Sequence, residues 1–262
     1  MKILVWNING IRAIIKKKVD KNNSFEDYLI KSKADIICFN ETKITNIDMD
    51  KINILKNYKY TYHAHSTKRK GYSGVSIYSK YEPLNKFDLP NDDEGRVVAL
   101  EFNKFIIINV YQPNSGAKLQ RLDYRVNEWK HTFDKFILKM KKIKSVILVG
   151  DMNVAHEPID IKYPEKHEQN AGYTLKERNV FSNLINKYEL IDSWRKLHPN
   201  KIEYTYFDYR TKARNRNAGW RLDYILVSND LFKYIKKVDI ASDIIGSDHI
   251  PVIANFDKKI NV

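Results

Sequence analysis

Short β-branched runs recur along the chain, and six of them meet a carboxylate, an amide or an imidazole at one end. Ile3–Trp6 runs into Asn7, Ile36–Phe39 into Glu41, Phe105–Tyr111 into Asn114, and Val146–Val149 into Asp151 and Asn153. Asp223 stands just before Tyr224–Val227, and Asp248 and His249 stand just before Pro251–Phe256. Apolar runs of this length predict buried strands. A strand interior holds an unpaired carboxylate only at high cost, so the polar groups belong at strand ends. For all six to share one edge, the last two strands must run opposite to the first four. That requirement excludes an all-parallel doubly wound sheet. It predicts an α/β fold with mixed or antiparallel sheets, two of them packed together and covered by helices.

Three helices are legible between the strands. Ser24–Lys33 puts Phe25, Tyr28 and Leu29 on one face. Gln120–Lys141 repeats Leu122, Val126, Trp129, Phe133, Phe136, Ile137 and Met140 at spacings of three and four. A third opens with Thr174 and Glu177 in a capping-box spacing and then turns Val180, Phe181, Leu184 and Ile185 inward. No Pro/Gly/Ser-rich linker, composition break or solenoid repeat divides the 262 residues, so one domain over 1–262 is expected.

Composition narrows the class. No apolar stretch approaches the roughly 20 residues that span a bilayer. Met1 and Lys2 lead straight into a strand and then into basic residues, which is not a cleavable signal. The lone cysteine, Cys38, lies inside an apolar run, and no Cys/His cluster offers a zinc site. A reducing, intracellular setting is expected: cytoplasm or nucleoid, or the nucleus. Lys and Arg total 46 against 32 Asp and Glu, a net charge of +14 that points to a polyanionic partner. The less favoured alternative is that Lys-, Asn- and Ile-rich usage reflects genome base composition alone.

Converged on one edge, the polar ends make an acidic, amide-rich cleft with one imidazole. Phosphodiester hydrolysis needs a cation for the phosphorus-bound oxygens, a group to orient or deprotonate water, and help for the departing oxygen. Glu41 suits a Mg²⁺ ligand, Asp151 a base or water-orienting group, and His249 with Asp223 a phosphate donor with its orienter. Asn7, Asn114 and Asn153 can touch phosphate or water without adding charge. Taken singly, each has an ordinary reading: a capped turn at Asp151, a salt-bridge partner at Asp223, a core imidazole at His249. Their joint occurrence favours the site.

An ordered set of motifs runs through the chain: Trp6-Asn-Ile-Asn-Gly-Ile-Arg12, Asn40-Glu-Thr-Lys43, Gly71-Tyr-Ser-Gly-Val75, Gly95-Arg-Val97 and Tyr111-Gln-Pro-Asn114. Gly150-Asp-Met-Asn-Val-Ala-His156, Asn170-Ala-Gly-Tyr-Thr174 with Glu177-Arg178, Gly219-Trp-Arg-Leu-Asp-Tyr224 and Gly246-Ser-Asp-His249 follow. In that order they resemble the exonuclease III family of apurinic/apyrimidinic endonucleases, from residue 3 to about 256.

The resemblance implies a four-layered α/β sandwich and Mg²⁺-dependent hydrolysis 5′ to an abasic site, leaving a 3′-hydroxyl, with Mn²⁺ able to replace Mg²⁺. It implies metal binding around Glu41, with Asn7, Asp248, Asp151, Asn153 and His249 as contributors. Tyr111, Asp151, Asn153, Asp223 and His249 would carry the chemistry. Arg12, Lys43, Tyr72, Arg96, Asn114, Asn170, Arg210, Arg216 and Arg221 would contact DNA, and Tyr206, Trp220 and Leu222 would line the pocket for the extrahelical sugar. Expected partners are duplex DNA with abasic sites or blocked 3′ ends, bound by a monomer. Ala117 and Arg210 stand where vertebrate-type members insert an arginine and a methionine beside the lesion. No separate redox or partner-binding segment is expected ahead of the domain. The competing readings are another phosphodiesterase or phosphatase of the same superfamily and a non-catalytic DNA-binding module. The latter is disfavoured because Glu41, Asp151, Asp223 and His249 are all present.

Overall fold

The computed structural model describes residues 1–45, 55 and 57–260. One six-stranded sheet has the order β11-β12-β1-β2-β4-β3 and the other β5-β6-β7-β8-β10-β9. In the first, β1 (Lys2–Asn7) and β2 (Ile36–Asn40) run parallel, while β12 (Val252–Phe256) and β4 (Val75–Ser79) flank them antiparallel. In the second, β7 (Ile106–Tyr111) and β8 (Val146–Asp151) run parallel, and β10 (Asp223–Ser228) lies antiparallel to β8. The expected reversal of the last two strands is therefore present. The remaining strands are β3 (Tyr60–Ala64), β5 (Asn85–Phe87), β6 (Val97–Glu101), β9 (Leu190–Asp192) and β11 (Ile235–Ile240).

Side-chain alternation builds the layers. Ile3, Val5, Ile36 and Cys38 of one sheet meet Ile107, Ile147, Val149 and Ile225 of the other. Leu4, Trp6, Ile37 and Phe39, one position out of phase, pack outward against Phe25 and Leu29 of α2 (Phe25–Ser32), which follows the short α1 (Ile11–Ile14). On the far side Ile106, Ile108, Leu148 and Leu226 meet Phe133, Phe136, Ile137 and Met140 of α3 (Lys130–Ile143). Phe181 and Leu184 of α4 (Leu175–Lys187) join them. Burying each such side chain contributes about 1.5–3 kcal/mol. The result is the helix–sheet–sheet–helix sandwich, with the central strands of both sheets buried on both faces. Cys38 is a buried free thiol. Among the described residues, no helix is long and apolar enough to cross a membrane.

Two helices begin with capping boxes, the second of them as the sequence implies. The Ser24 hydroxyl accepts from Asp27 N while the Asp27 carboxylate accepts from Ser24 N. Thr174 and Glu177 exchange the same pair of bonds. The third differs from expectation. Residues Tyr124–Trp129 form a π-helical segment before α3, and the wider turn rotates the apolar stripe. Trp129, Phe133, Phe136, Ile137 and Met140 are buried, but Leu122 and Val126 are only partly so, and Arg125 turns inward. Its Nη1 donates to Asn153 O (2.8 Å) and Glu177 Oε1 (2.9 Å), and its Nη2 to Met152 O (2.8 Å). Val180 and Ile185 of α4 are likewise only partly buried.

Candidate active site

Strand register brings the polar ends together. Asn7 pairs with Asn40 across β1–β2, Tyr111 with Asp151 across β7–β8, and Asp223 with Asp151 across β8–β10. Two fully buried amides tie the sheets beneath this edge. Asn40 Nδ2 donates to Asn109 Oδ1 (2.8 Å) and Val110 O (3.0 Å), and its Oδ1 accepts from Asp151 N (3.2 Å). Asn109 Nδ2 donates to Phe39 O and Ser76 O, each at 3.0 Å. Every polar atom of both amides is matched, as a buried amide requires. Gly150 is fixed by the same contact: its φ is 129°, and an added Cβ would stand 2.0 Å from Val110 O.

Above the amides lies the reactive cluster. Asp151 Oδ2 accepts from Asn7 Nδ2 (2.9 Å), and its Oδ1 from Asn153 N (2.8 Å). His249 Nδ1 lies 2.7 Å from Asp223 Oδ2, and its Nε2 lies 3.7 Å from Asp151 Oδ2. All three residues are at most 5% exposed. Burial disfavours the Asp151 anion and raises its pKa to about 7, despite the opposing pull of His249. Burial also works against a charged His249, but Asp223 and Asp151 outweigh it and raise the imidazole to about 10. The pair titrates as a unit, with the proton held on the imidazole. Trp6 Nε1 donates to His249 O (2.9 Å) and anchors the backbone of that imidazole.

Glu41 sits beside the cluster in the left-handed backbone region, at φ 54°. Its Oε2 accepts from Asn7 Nδ2 (3.2 Å) and Tyr111 OH (3.1 Å), and its Oε1 pairs with Lys43 Nζ (2.9 Å). Lys43 Nζ also donates to Asn9 Oδ1 (2.5 Å), and Asn9 Nδ2 donates to Asp248 Oδ1 (3.0 Å). An ammonium thus occupies a cation's place among the oxygens of Glu41 and Asn9, next to Asp248. This all-oxygen donor set fits a hard divalent ion. Asp151, Asp223 and His249 also bring ligand atoms within 4.8 Å of one another. The Asp223–His249 hydrogen bond and deep burial suit that trio to proton handling instead.

A cleft of about 750 Å³ opens over these groups. Asn114, Asn170, Arg210, Arg216, Tyr206, Trp220 and Leu222 line it together with Glu41, Tyr111, Asp151, Asn153, Asp248 and His249. Asn114 Nδ2 reaches Asn153 Oδ1 (2.9 Å). Arg12, Asn170, Arg210 and Arg216 are exposed, Tyr72 and Lys43 half-buried. Tyr206, Trp220 and Leu222 form one apolar patch with Ala155, Ile161 and Tyr173.

Two expected DNA contacts are corrected. Arg221 is 1% exposed; its Nε and Nη2 grip Asp160 (2.8 and 2.9 Å) and its Nη2 lies 2.8 Å from Asp192. Arg96, also 1% exposed, donates to Glu94 (2.7 Å), Tyr111 O (2.9 Å) and the Tyr72 hydroxyl (2.9 Å). Both guanidiniums are turned inward onto internal partners and brace the cleft from behind. Sequence reasoning did not single out Asn40, Asn109, Asp160, Glu94 or Arg125 as site supports. Asn40 and Asn109 carried a readable signal, an amide within a buried strand. Glu177, read as a helix cap, also closes the Arg125 pair and accepts from Ser115 Oγ (2.5 Å).

Comparison with known proteins gives the family. The profile of the Endonuclease/Exonuclease/phosphatase family matches residues 4–249. The chain belongs to that family. An exodeoxyribonuclease of Bacillus subtilis is 40% identical over 96% of this chain and 98% of its own length. An AP endonuclease from Archaeoglobus fulgidus superposes with a TM-score of 0.85 at 30% identity, over 98% of this chain and 99% of its own. A 3′ phosphatase from Neisseria, solved with a product DNA hairpin, gives 0.81 at 28%, over 98% and 99%. The resemblance to exonuclease III-type endonucleases therefore spans nearly the whole family member, and its enzyme class is that of the hydrolytic nucleases.

Proposed function

We propose that this family member is a Mg²⁺-dependent DNA-repair endonuclease that hydrolyses the phosphodiester 5′ to an abasic site. The supporting observation is one cleft in which a carboxylate near neutrality faces an imidazole held as a cation, beside an oxygen-rich cation site. Glu41, Asn7 and Asp248 would hold Mg²⁺, or Mn²⁺ in its place, with Asp151, Asn153 and His249 bordering it. Bound there, the ion would neutralise charge on the phosphate oxygens.

The protein's own groups divide the remaining work. His249 keeps its proton at neutral pH, so it donates a hydrogen bond to the scissile phosphate and does not act as the base. Asp151 orients the attacking water and takes its proton, with Asn7 and Asn153 fixing the carboxylate. Attack at phosphorus breaks the bond to the 3′ oxygen, which takes a proton from solvent water, leaving a 3′-hydroxyl and a 5′-deoxyribose phosphate. Tyr111 and Asn170 contact the phosphate. Arg12, Lys43, Tyr72, Asn114, Arg210 and Arg216 hold the flanking backbone. Tyr206, Trp220 and Leu222 receive the base-free sugar, which costs less to extrude than an intact nucleotide. Blocked 3′ ends are a second substrate of the same cleft, favoured by its likeness to the Neisseria 3′ phosphatase.

Asp151→Asn and His249→Ala test the assignment. Each is expected to lower abasic-site incision by roughly 100-fold or more while leaving binding of abasic duplex within severalfold. Near wild-type incision by either variant removes that residue from the mechanism.

A further inference from the structure

We propose that Tyr163, flanked by Lys162 and Lys166, is a stacking platform for a nucleobase beside the scissile phosphate and sets affinity for the damaged strand. The inference rests on the endonuclease reading above and extends it to a residue outside the matched motifs. Tyr163 lines the same cleft as Asn170 and Trp220 and is 50% exposed. The fold holds it there: Ile161 bridges to Trp220, and Lys162 N donates to Gly219 O (3.0 Å). Two ammonium groups lie over its ring, Lys162 Nζ at 5.1 Å and Lys166 Nζ at 5.0 Å from the centroid. Both sit on flexible stems, so a base can displace one from the ring face while its adjoining phosphates keep the cation, whatever the base identity.

The backbone supplies an independent argument. Tyr163 has φ 58° and ψ 57°, the left-handed region, where a bulky aromatic is an outlier. Pro164 follows, and a residue before proline normally takes an extended conformation. Glycine would relieve the first of these strains. The half-exposed ring gains little burial in return, so folding stability does not account for a tyrosine here. A ligand that stacks on the ring does.

Steady-state incision of a duplex with one abasic-site analogue tests the inference. Tyr163→Ala and Tyr163→Gly are expected to raise KM roughly tenfold, with kcat within about twofold. Tyr163→Phe keeps the ring and restores KM. Tyr163→Gly should melt no lower than the parent, which separates lost contact from lost fold. A second duplex lacks the bases on both sides of the analogue as well. On it the parent's KM should rise to the level of Tyr163→Ala, and the variant's should barely move. Unchanged KM in Tyr163→Ala, or an equal penalty on both duplexes, overturns the platform alone. Failure of the parent protein to incise the first duplex overturns the endonuclease reading and this inference with it.

Discussion

The 2.7 Å contact between Asp223 and His249 sets the polarity of the whole site. It keeps the imidazole cationic to about pH 10, while burial leaves Asp151 protonated until about pH 7. The competent pair, ionised Asp151 with charged His249, therefore fills from below as pH rises through 7 and empties near 10. A kcat/KM profile should show an acid limb at or below about 7, since a bound cation also favours the carboxylate. An acid limb above pH 8 would contradict the assignment. Asp223→Asn should cut kcat by roughly 100-fold and bring the alkaline limb down, because the imidazolium loses its counter-charge. A separate residue controls acid stability. Burial lowers the pKa of His63 from 6.5 to about 4, so the unfolded chain binds a proton there that the folded chain refuses. Stability present above pH 6.5 should be lost as pH falls toward 4, by on the order of 3 kcal/mol. In His63→Gln, denaturant titrations should show that loss flattened. Asp151, Asp223 and His249 were legible because each stands at the end of an apolar run. Arg96 and Arg221 were not, because a cation reads alike whether it faces water or a distant carboxylate, and Asp160 lies 61 residues from Arg221.

Among the elements, the segment Tyr124–Trp129 departs most from what periodicity implies. Spacings of three and four place Leu122 and Val126 on the buried stripe, but one wide turn delivers Arg125 to the backbone carbonyls behind Asn153 instead. Pattern reading could not see this, since the partner, Glu177, sits on another helix and was already explained as a cap. Replacing Arg125 with Met leaves a buried carboxylate short of its cation. The expected cost is about 3 kcal/mol of unfolding free energy in denaturant titrations. A cost below about 1 kcal/mol would show that the pair is not what joins the two helices. β1, β2, β7, β8, β10 and β12 were legible because buried strands write unbroken hydrophobic runs, whereas the partly exposed β3, β5 and β11 write none. Gly150 marks where one of those runs must admit Val110 O of the neighbouring strand and the Asn40 amide of the other sheet. Gly150→Ala should destabilise the fold and depress incision together, as the Cβ displaces Val110 and with it Asp151.

For the whole molecule, charge and topology act together. Six strand ends put carboxylates and an imidazole at the floor of a cleft, while a net charge of +14 draws in a polyanion whose phosphates that floor alone would repel. Binding to duplex DNA should therefore weaken steeply with salt, with a log–log slope near −0.9 for each phosphate contact. A flat titration would argue against a phosphate-tracking face. The opposed direction of the last two strands could be read from polar punctuation and the four-layered sandwich from the family resemblance; the cations bracing the cleft required the three-dimensional arrangement. The most direct test of the central claim is incision of an end-labelled duplex carrying one abasic-site analogue, with Mg²⁺ and with EDTA, beside an undamaged duplex. The account predicts metal-dependent cleavage immediately 5′ to the lesion, ending in a 3′-hydroxyl, and little cleavage of the undamaged strand. Cleavage that persists in EDTA, falls on the 3′ side, or ignores the lesion would contradict it.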